Sequence, residues 1–253
     1  MTTPLLQARS ITVRFGGVVA NDGVDVDIHP GELIGVIGPN GAGKTTFIDA
    51  ITGFVPATGH VHLGDEDLSD RPAAARARAG LIRTWQSVEL FDDLDVVDNL
   101  AVADHRPKRF DLLREVVGLG ARRNRERIDA ALARVGLEDA ASMFPDQLSA
   151  GQRKLVGVAR ALVSHPQVLC LDEPAAGLDE QESAELGRQL RQLAEGGLTM
   201  LLVDHDMRLV LGVCDRIYVM ETGRVIASGT PAEIRNDPVV REAYLGTDHQ
   251  EAS

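Results

Sequence analysis

Apolar and polar positions alternate roughly along residues 5–14 (LLQARSITVR) and 22–28 (DGVDVDI), with β-branched side chains among them. A period of two with branched residues predicts two antiparallel strands. Residues 32–38 (ELIGVIG) break that alternation with a short apolar run that feeds a glycine-rich stretch. That predicts a buried strand, and the run KTTFIDAITG from Lys44 predicts a helix closed by Gly53. A strand near 59–63, an Ala/Arg helix from about Pro72 and a strand over 81–85 ending at Gln86 follow.

From about 90 to 149 strand signals vanish, and helical runs occupy 95–103, 109–117 and 124–135. Alternation of strand and helix resumes with a helix at 152–164, a strand at 168–171, a helix at 180–194, a strand at 199–203 and a helix at 207–213. That order demands a parallel α/β core. A hairpin is predicted at Glu221-Thr222-Gly223-Arg224. Thr230-Pro231-Ala232-Glu233 supplies an N-cap, a first-turn proline and a capping-box glutamate for a closing helix. The expected architecture is an α/β core over 1–89 and 150–253 with an antiparallel β subdomain, interrupted by a helical subdomain over about 90–149.

Composition adds exclusions. The 38 acidic residues outnumber 26 Lys plus Arg, a formal charge of −12, so no field over the whole surface attracts nucleic acid or anionic lipid. Arg122, Arg123, Arg125 and Arg127 form a local basic patch that reads either as a partner contact or as a solvated helix face. Cys170 and Cys214 lie in apolar runs without metal-ligand spacing, as core residues of a reducing compartment do. The first ten residues lack the pattern of a signal peptide, and no run reaches the 18 or so apolar residues of a membrane span. The expectation is a cytoplasmic chain that reaches a membrane only through a partner.

Three segments carry chemistry. Gly38-Pro39-Asn40-Gly41-Ala42-Gly43-Lys44-Thr45 has the G-x-x-x-x-G-K-[ST] spacing between a predicted strand and a predicted helix, the context a phosphate loop requires. Its glycines let backbone amides wrap a polyphosphate at the positive helix end, with Lys44 on the β- and γ-phosphates and Thr45 on magnesium. The apolar strand before Asp172 and Glu173 delivers two carboxylates at its C-terminal end, where α/β sheets place ligands. One carboxylate cannot anchor a metal and act as a free base at once, so a pair suits the two tasks, Asp172 in the magnesium shell and Glu173 orienting or deprotonating the attacking water; a solvated acidic turn is the alternative. Third, Ser149 precedes a helix, so its hydroxyl, Gly151 and the helix dipole form a second anion site, or else a plain helix cap.

Leu148-Ser149-Ala150-Gly151-Gln152 lies about twenty residues ahead of Leu169-Cys170-Leu171-Asp172-Glu173-Pro174, which Gly177-Leu178-Asp179 follows. With the phosphate loop, this resembles the ATPase subunit of an ATP-binding-cassette (ABC) transporter over nearly the whole chain. The resemblance implies a P-loop NTPase (RecA-like) fold, ATP and Mg2+ as ligands, and contact of Ser149, Gly151 and Gln152 with the γ-phosphate held by a second ATPase chain. It also implies that Thr46 extends the phosphate loop, that His205 points at the γ-phosphate, and that Lys44, Glu173 and His205 carry the hydrolysis. Gln86 would report on magnesium, Phe15 would stack on adenine, and Asp179 would join the two active sites. Read alone, His205 is a structural histidine, Gln86 a solvated loop amide, Phe15 a core aromatic and Asp179 a helix cap. Ala150 departs from the usual glycine of LSGGQ.

Finer features are similar to the ATPases of branched-chain amino-acid importers. They are Phe15-Gly16-Gly17-Val18-Val19-Ala20, Arg83-Thr84-Trp85-Gln86, Leu202-Val203-Asp204-His205-Asp206-Met207 and Glu242-Ala243-Tyr244-Leu245-Gly246. Trp85 stands where Phe is more usual, and Asp204 where Glu is. The resemblance implies transmembrane permease subunits, a second ATPase chain (identical or paralogous) and a periplasmic or extracellular substrate-binding protein as partners, at the inner face of the membrane. Urea or amide import, lipopolysaccharide export and, outside transport, iron-sulfur assembly are the alternatives.

Overall fold

The computed structural model describes residues 3–84, 89–104 and 119–245. Strands β1 (Leu6–Phe15) and β2 (Val18–Ile28) form an antiparallel ribbon, and β2 begins four residues before the alternating segment suggests. The cause is a tight turn at Gly16-Gly17 that pairs Phe15 with Val18 immediately. In β1 the buried positions change phase, from Leu6 and Ala8 to Ile11 and Val13. A register shift around Ser10, whose φ is 51°, lets both pairs face inward.

Strand β3 (Leu33–Ile37) leads through the glycine-rich loop to helix α1 (Lys44–Thr52), whose C-cap Gly53 has φ 83°. Strands β4 (Thr58–Leu63) and β5 (Glu66–Asp67) complete a four-stranded sheet of order β2-β1-β4-β5. The two-residue β5 has too little pattern to be read from sequence. Helix α2 (Ala73–Ala79) carries buried Arg76, which donates to the carbonyls of Ala50 (2.9 Å) and Ile51 (2.7 Å) and so satisfies the end of α1. Strand β6 (Leu81–Arg83) follows, extended by a bond from the Thr84 amide to the Cys170 carbonyl.

The described part of the expected helical segment contains α3 (Val96–Ala101), a 3-10 turn at Val102–Asp104 and α4 (Leu119–Arg134), which includes the five residues ahead of its apolar pattern. The helix expected at 109–117 lies outside the described residues. Then come α5 (Ala150–Val163), β7 (Val168–Asp172), α6 (Glu180–Glu195), β8 (Thr199–Val203), α7 (Met207–Val213), β9 (Arg216–Glu221) and β10 (Arg224–Gly229). The closing helix is two: α8 (Pro231–Asn236), with its Thr230/Glu233 capping box, and α9 (Pro238–Leu245). Pro238 lacks the N–H that would continue α8 and instead opens the next helix.

The larger sheet has the order β10-β9-β3-β8-β7-β6, parallel except for the β9–β10 hairpin. Its central strands are buried on both faces, as a covered parallel sheet requires. Ile34, Val36, Cys170, Leu201 and Val203 share one core with Phe47, Ile48 and Ile51 of α1 and with the inner face of β1 and β2. Leu33, Ile37, Leu169, Leu171, Met200 and Leu202 face a second core built with α3, α4, α5 and α6. Helix α1 therefore lies between the two sheets, and the loop at its N-terminus emerges beside the C-terminal ends of β3, β7 and β8.

Candidate functional site

The glycine-rich loop is clamped from both sides. A Cβ on Gly38 would collide with the Met220 carbonyl of β9, and one on Gly43 would collide with the Ala20 carbonyl and lie 2.7 Å from the Asn21 amide. Gly43 also has φ 95°, so both position and conformation require glycine there. Asn21, fully buried, donates to the Gly43 carbonyl (3.1 Å), and the Gly223 amide of the β9–β10 turn donates to the Ala42 carbonyl (3.0 Å). Asn40 and Gly41 are exposed at the crest of the loop, while Pro39 and Thr46 are half-buried. Lys44, 6% exposed, folds its ammonium back onto the carbonyls of Gly38 (2.7 Å) and Pro39 (3.1 Å). Burial lowers its pKa below the usual lysine value, and the carboxylates of Glu173, Asp172 and Asp204 oppose that shift.

Asp172 ends β7 almost fully buried, with Thr45 Oγ1 donating to its Oδ1 (3.4 Å) and Arg83 donating to its Oδ2 (2.7 Å). The same guanidinium pairs with Asp49 of α1, so one buried arginine joins α1, β6 and β7. Glu173 follows at φ 47°, an unusual conformation for a residue with a Cβ, and its amide donates to the Val203 carbonyl (2.7 Å). This lock between β7 and β8 turns the Glu173 carboxylate toward His205, whose Nδ1 lies 3.9 Å from Glu173 Oε2 and 3.7 Å from Asp204 Oδ1. His205 is largely exposed; Asp204 is fully buried and accepts from the amides of Ala175 (3.1 Å) and Asp206 (3.0 Å). Lys154 of α5 sits close enough to Asp204 and Glu173 for their charges to oppose the burial that lowers its pKa.

Ser149 caps α5. Its hydroxyl accepts from the Gln152 amide (3.2 Å), and the Gln152 side chain accepts from the Ser149 amide (2.9 Å). The Gly151 amide donates to Glu182 Oε1 (3.0 Å), in the first turn of α6. Asp179 caps α6 through the Glu182 amide (2.8 Å). Phe15 is half exposed at the end of β1, not part of the core. Gln86 lies outside the described residues. The structure thus gathers Lys44, Thr45, Asp172, Glu173 and His205 at one edge of the parallel sheet, and Ser149, Gly151, Gln152 and Asp179 around the facing N-termini of α5 and α6.

Sequence reasoning missed three residues here. Arg83 and Asp204 enter it only as members of family motifs, and Glu182 does not enter at all. The capping-box spacing from Asp179 to Glu182 was the available signal for the last, yet its side chain reaches α5 instead of its own cap.

A phosphate loop between a buried strand and helix, with a carboxylate pair at the end of a parallel strand of the same sheet, one strand removed, defines a P-loop nucleotide-binding protein. The family pattern described as "ABC transporter" matches residues 21–176, and that described as "Branched-chain amino acid ATP-binding cassette transporter" matches residues 224–250. The chain is 41% identical to the high-affinity branched-chain amino acid transport ATP-binding protein LivG of Escherichia coli K12, over 97% of this chain and 99% of that protein. It is 39% identical to the corresponding BraF of Pseudomonas aeruginosa PAO1 over the same shares. A nucleotide-free ATP-binding cassette from an ABC transporter superposes with a TM-score of 0.84 at 31% identity, covering 96% of this chain and 99% of that one. The chain belongs to the ABC transporter family of ATP-binding, ATP-hydrolysing cassettes.

Proposed function

We propose that this cassette binds and hydrolyses ATP at a site shared between two cassettes, and that it drives import of branched-chain amino acids through separate membrane permeases. The observation that carries the hydrolytic part is the convergence of Glu173, Asp204 and His205 at the ends of β7 and β8, beside Thr45 and Asp172. The importer reading rests on the likeness to LivG and BraF and on the matched C-terminal segment. Its partners are then transmembrane permeases, a second cassette of the same or a paralogous sequence, and a substrate-binding protein outside the membrane. Among the described residues no helix is long and apolar enough to cross a membrane, so the chain would work at the inner membrane face through its permeases.

ATP would lie with its phosphates along residues 38–46 and its adenine on the exposed ring of Phe15. Lys44 leaves the Gly38 and Pro39 carbonyls for the β- and γ-phosphates, exchanging two neutral acceptors for anionic ones. A Mg2+ ion fits the donor set: Thr45 Oγ1 and Asp172 Oδ1, 3.4 Å apart, are hard oxygens, and Mg2+ completes such a shell with phosphate and water. When bound it would neutralise charge on the phosphate oxygens. Glu173 accepts a proton from the attacking water as the water oxygen bonds to the γ-phosphorus. The bond from that phosphorus to the β,γ-bridging oxygen breaks, leaving ADP and phosphate. His205, beside Glu173, holds the γ-phosphate, and Ser149 and Gly151 of the second cassette complete the enclosure.

Glu173→Gln tests this reading. The amide keeps the side chain's size but takes no proton, so turnover should fall about 100- to 10,000-fold while ATP still binds. Light scattering should find the variant monomeric with ADP and dimeric with ATP, and adding Ser149→Arg should abolish the dimer. Turnover near wild type would refute the catalytic assignment. The import reading is checked by identifying the permeases that co-purify from detergent-solubilised membranes and by labelled leucine uptake; permeases that carry another solute would replace the substrate.

A further inference from the structure

The second phosphate site is already occupied by an anion of its own chain. Ser149 and Ala150 are exposed, yet Gly151, the next residue, is buried, because the side chain of Glu182 lies along it. A Cβ at Gly151 would stand 3.4 Å from Glu182 Cβ, 3.5 Å from Cγ and 3.6 Å from Oε1, and that Oε1 accepts the Gly151 amide at 3.0 Å. Ser149 and Gln152 meanwhile satisfy each other through a reciprocal cap. The N-terminus of α5 is thus closed by a carboxylate delivered from the first turn of α6.

One N–H carries one proton, and a carboxylate and a γ-phosphate repel. The Gly151 amide therefore cannot serve both. We infer that Glu182 is an intrachain stand-in for the γ-phosphate, covering the Gly151 amide until ATP held by the other cassette displaces it. This rests on the two-cassette reading above. The Glu182 backbone amide donates to Asp179 Oδ1 at 2.8 Å, so the residue whose carboxylate covers Gly151 is also the one that Asp179 caps. The empty site is kept closed by a bond of the same kind as the one that engages it.

The test is an ATP titration of dimer formation by light scattering in the Glu173→Gln background, with and without Glu182→Gln or Glu182→Ala. Glu182→Gln keeps length and an acceptor oxygen but removes the charge; Glu182→Ala also uncovers the amide. Both should lower the ATP concentration at half-dimerisation, by roughly three- to tenfold, with Ala at least as effective as Gln. A residue that merely props α5 against α6 predicts the opposite sign, a raised requirement in Glu182→Ala that Gln rescues. An unchanged or raised half-point overturns the inference while leaving the two-cassette reading intact. Absence of an ATP dimer in the parent and in both double variants, alone and mixed with the co-purifying paralogous cassette, overturns the two-cassette reading and this inference with it; a dimer that forms only when Glu182 is replaced supports the inference.

Discussion

Arg83 is what makes Asp172 tolerable in the core. The Asp172 side chain is 2% exposed and that of Arg83 5%, so neither charge has water to fall back on. Removing one member of such a buried pair strands the other, which costs about 3–5 kcal/mol. Arg83→Met should destabilise the protein by roughly that much in urea unfolding, since it strands both Asp172 and part-buried Asp49. Arg83→Lys should not restore it, because a single ammonium cannot replace a planar fork that reaches two carboxylates. A loss below about 1 kcal/mol would mean that Asp172 is neutralised in some other way. The phosphate loop was legible because its chemistry is contiguous. Arg83 was not, because its partners stand 34 and 89 positions away and a lone charge at a strand end has no period.

At the scale of elements, apolar periodicity located the strands and helices that bury a full face, and β8 and α7 fall where it put them. The strand read at 5–14 is there as β1, with its inward face shifted at Ser10, whereas Pro238 divides the single closing helix that was expected into α8 and α9. Periodicity also left Ser149 with two roles, and the structure adds weight to the cap without removing the other. Ser149→Asp separates them. Aspartate caps a helix about as well as serine, so thermal or urea stability should change by less than about 0.5 kcal/mol. Its negative charge would face the partner's γ-phosphate, so ATP turnover should fall at least tenfold, a loss of about 1.4 kcal/mol or more in transition-state stabilisation. Wild-type turnover with unchanged stability would make Ser149 a cap and nothing more.

The whole molecule adds what no local pattern carries. Strand order in the large sheet, with β3 between β8 and β9 and β7 between β8 and β6, brings the ends of β3, β7 and β8 together from positions far apart in the chain. Motif order announced that the phosphate loop and the carboxylates belong to one site, but not that α1 would be enclosed between two sheets. Assembly is a property at this same scale, and the formal charge of −12 on each chain bears on it directly. Two identical cassettes carry like charge, and their mutual repulsion acts over distances that salt screens, with a Debye length of about 10 Å at 0.1 M and about 30 Å at 0.01 M. The contacts proposed to join them, phosphate to Lys44 on one side and to the α5 N-terminus on the other, would be short and enclosed, and salt would weaken them less. Raising the salt from about 0.01 M to about 0.1 M should therefore lower the ATP needed to dimerise Glu173→Gln. Analytical ultracentrifugation at fixed protein concentration across that range would measure it. A requirement that rises with salt would mean that attraction between complementary patches, not ATP bridging against net repulsion, governs the pairing, and that a cassette of different charge is the more natural partner.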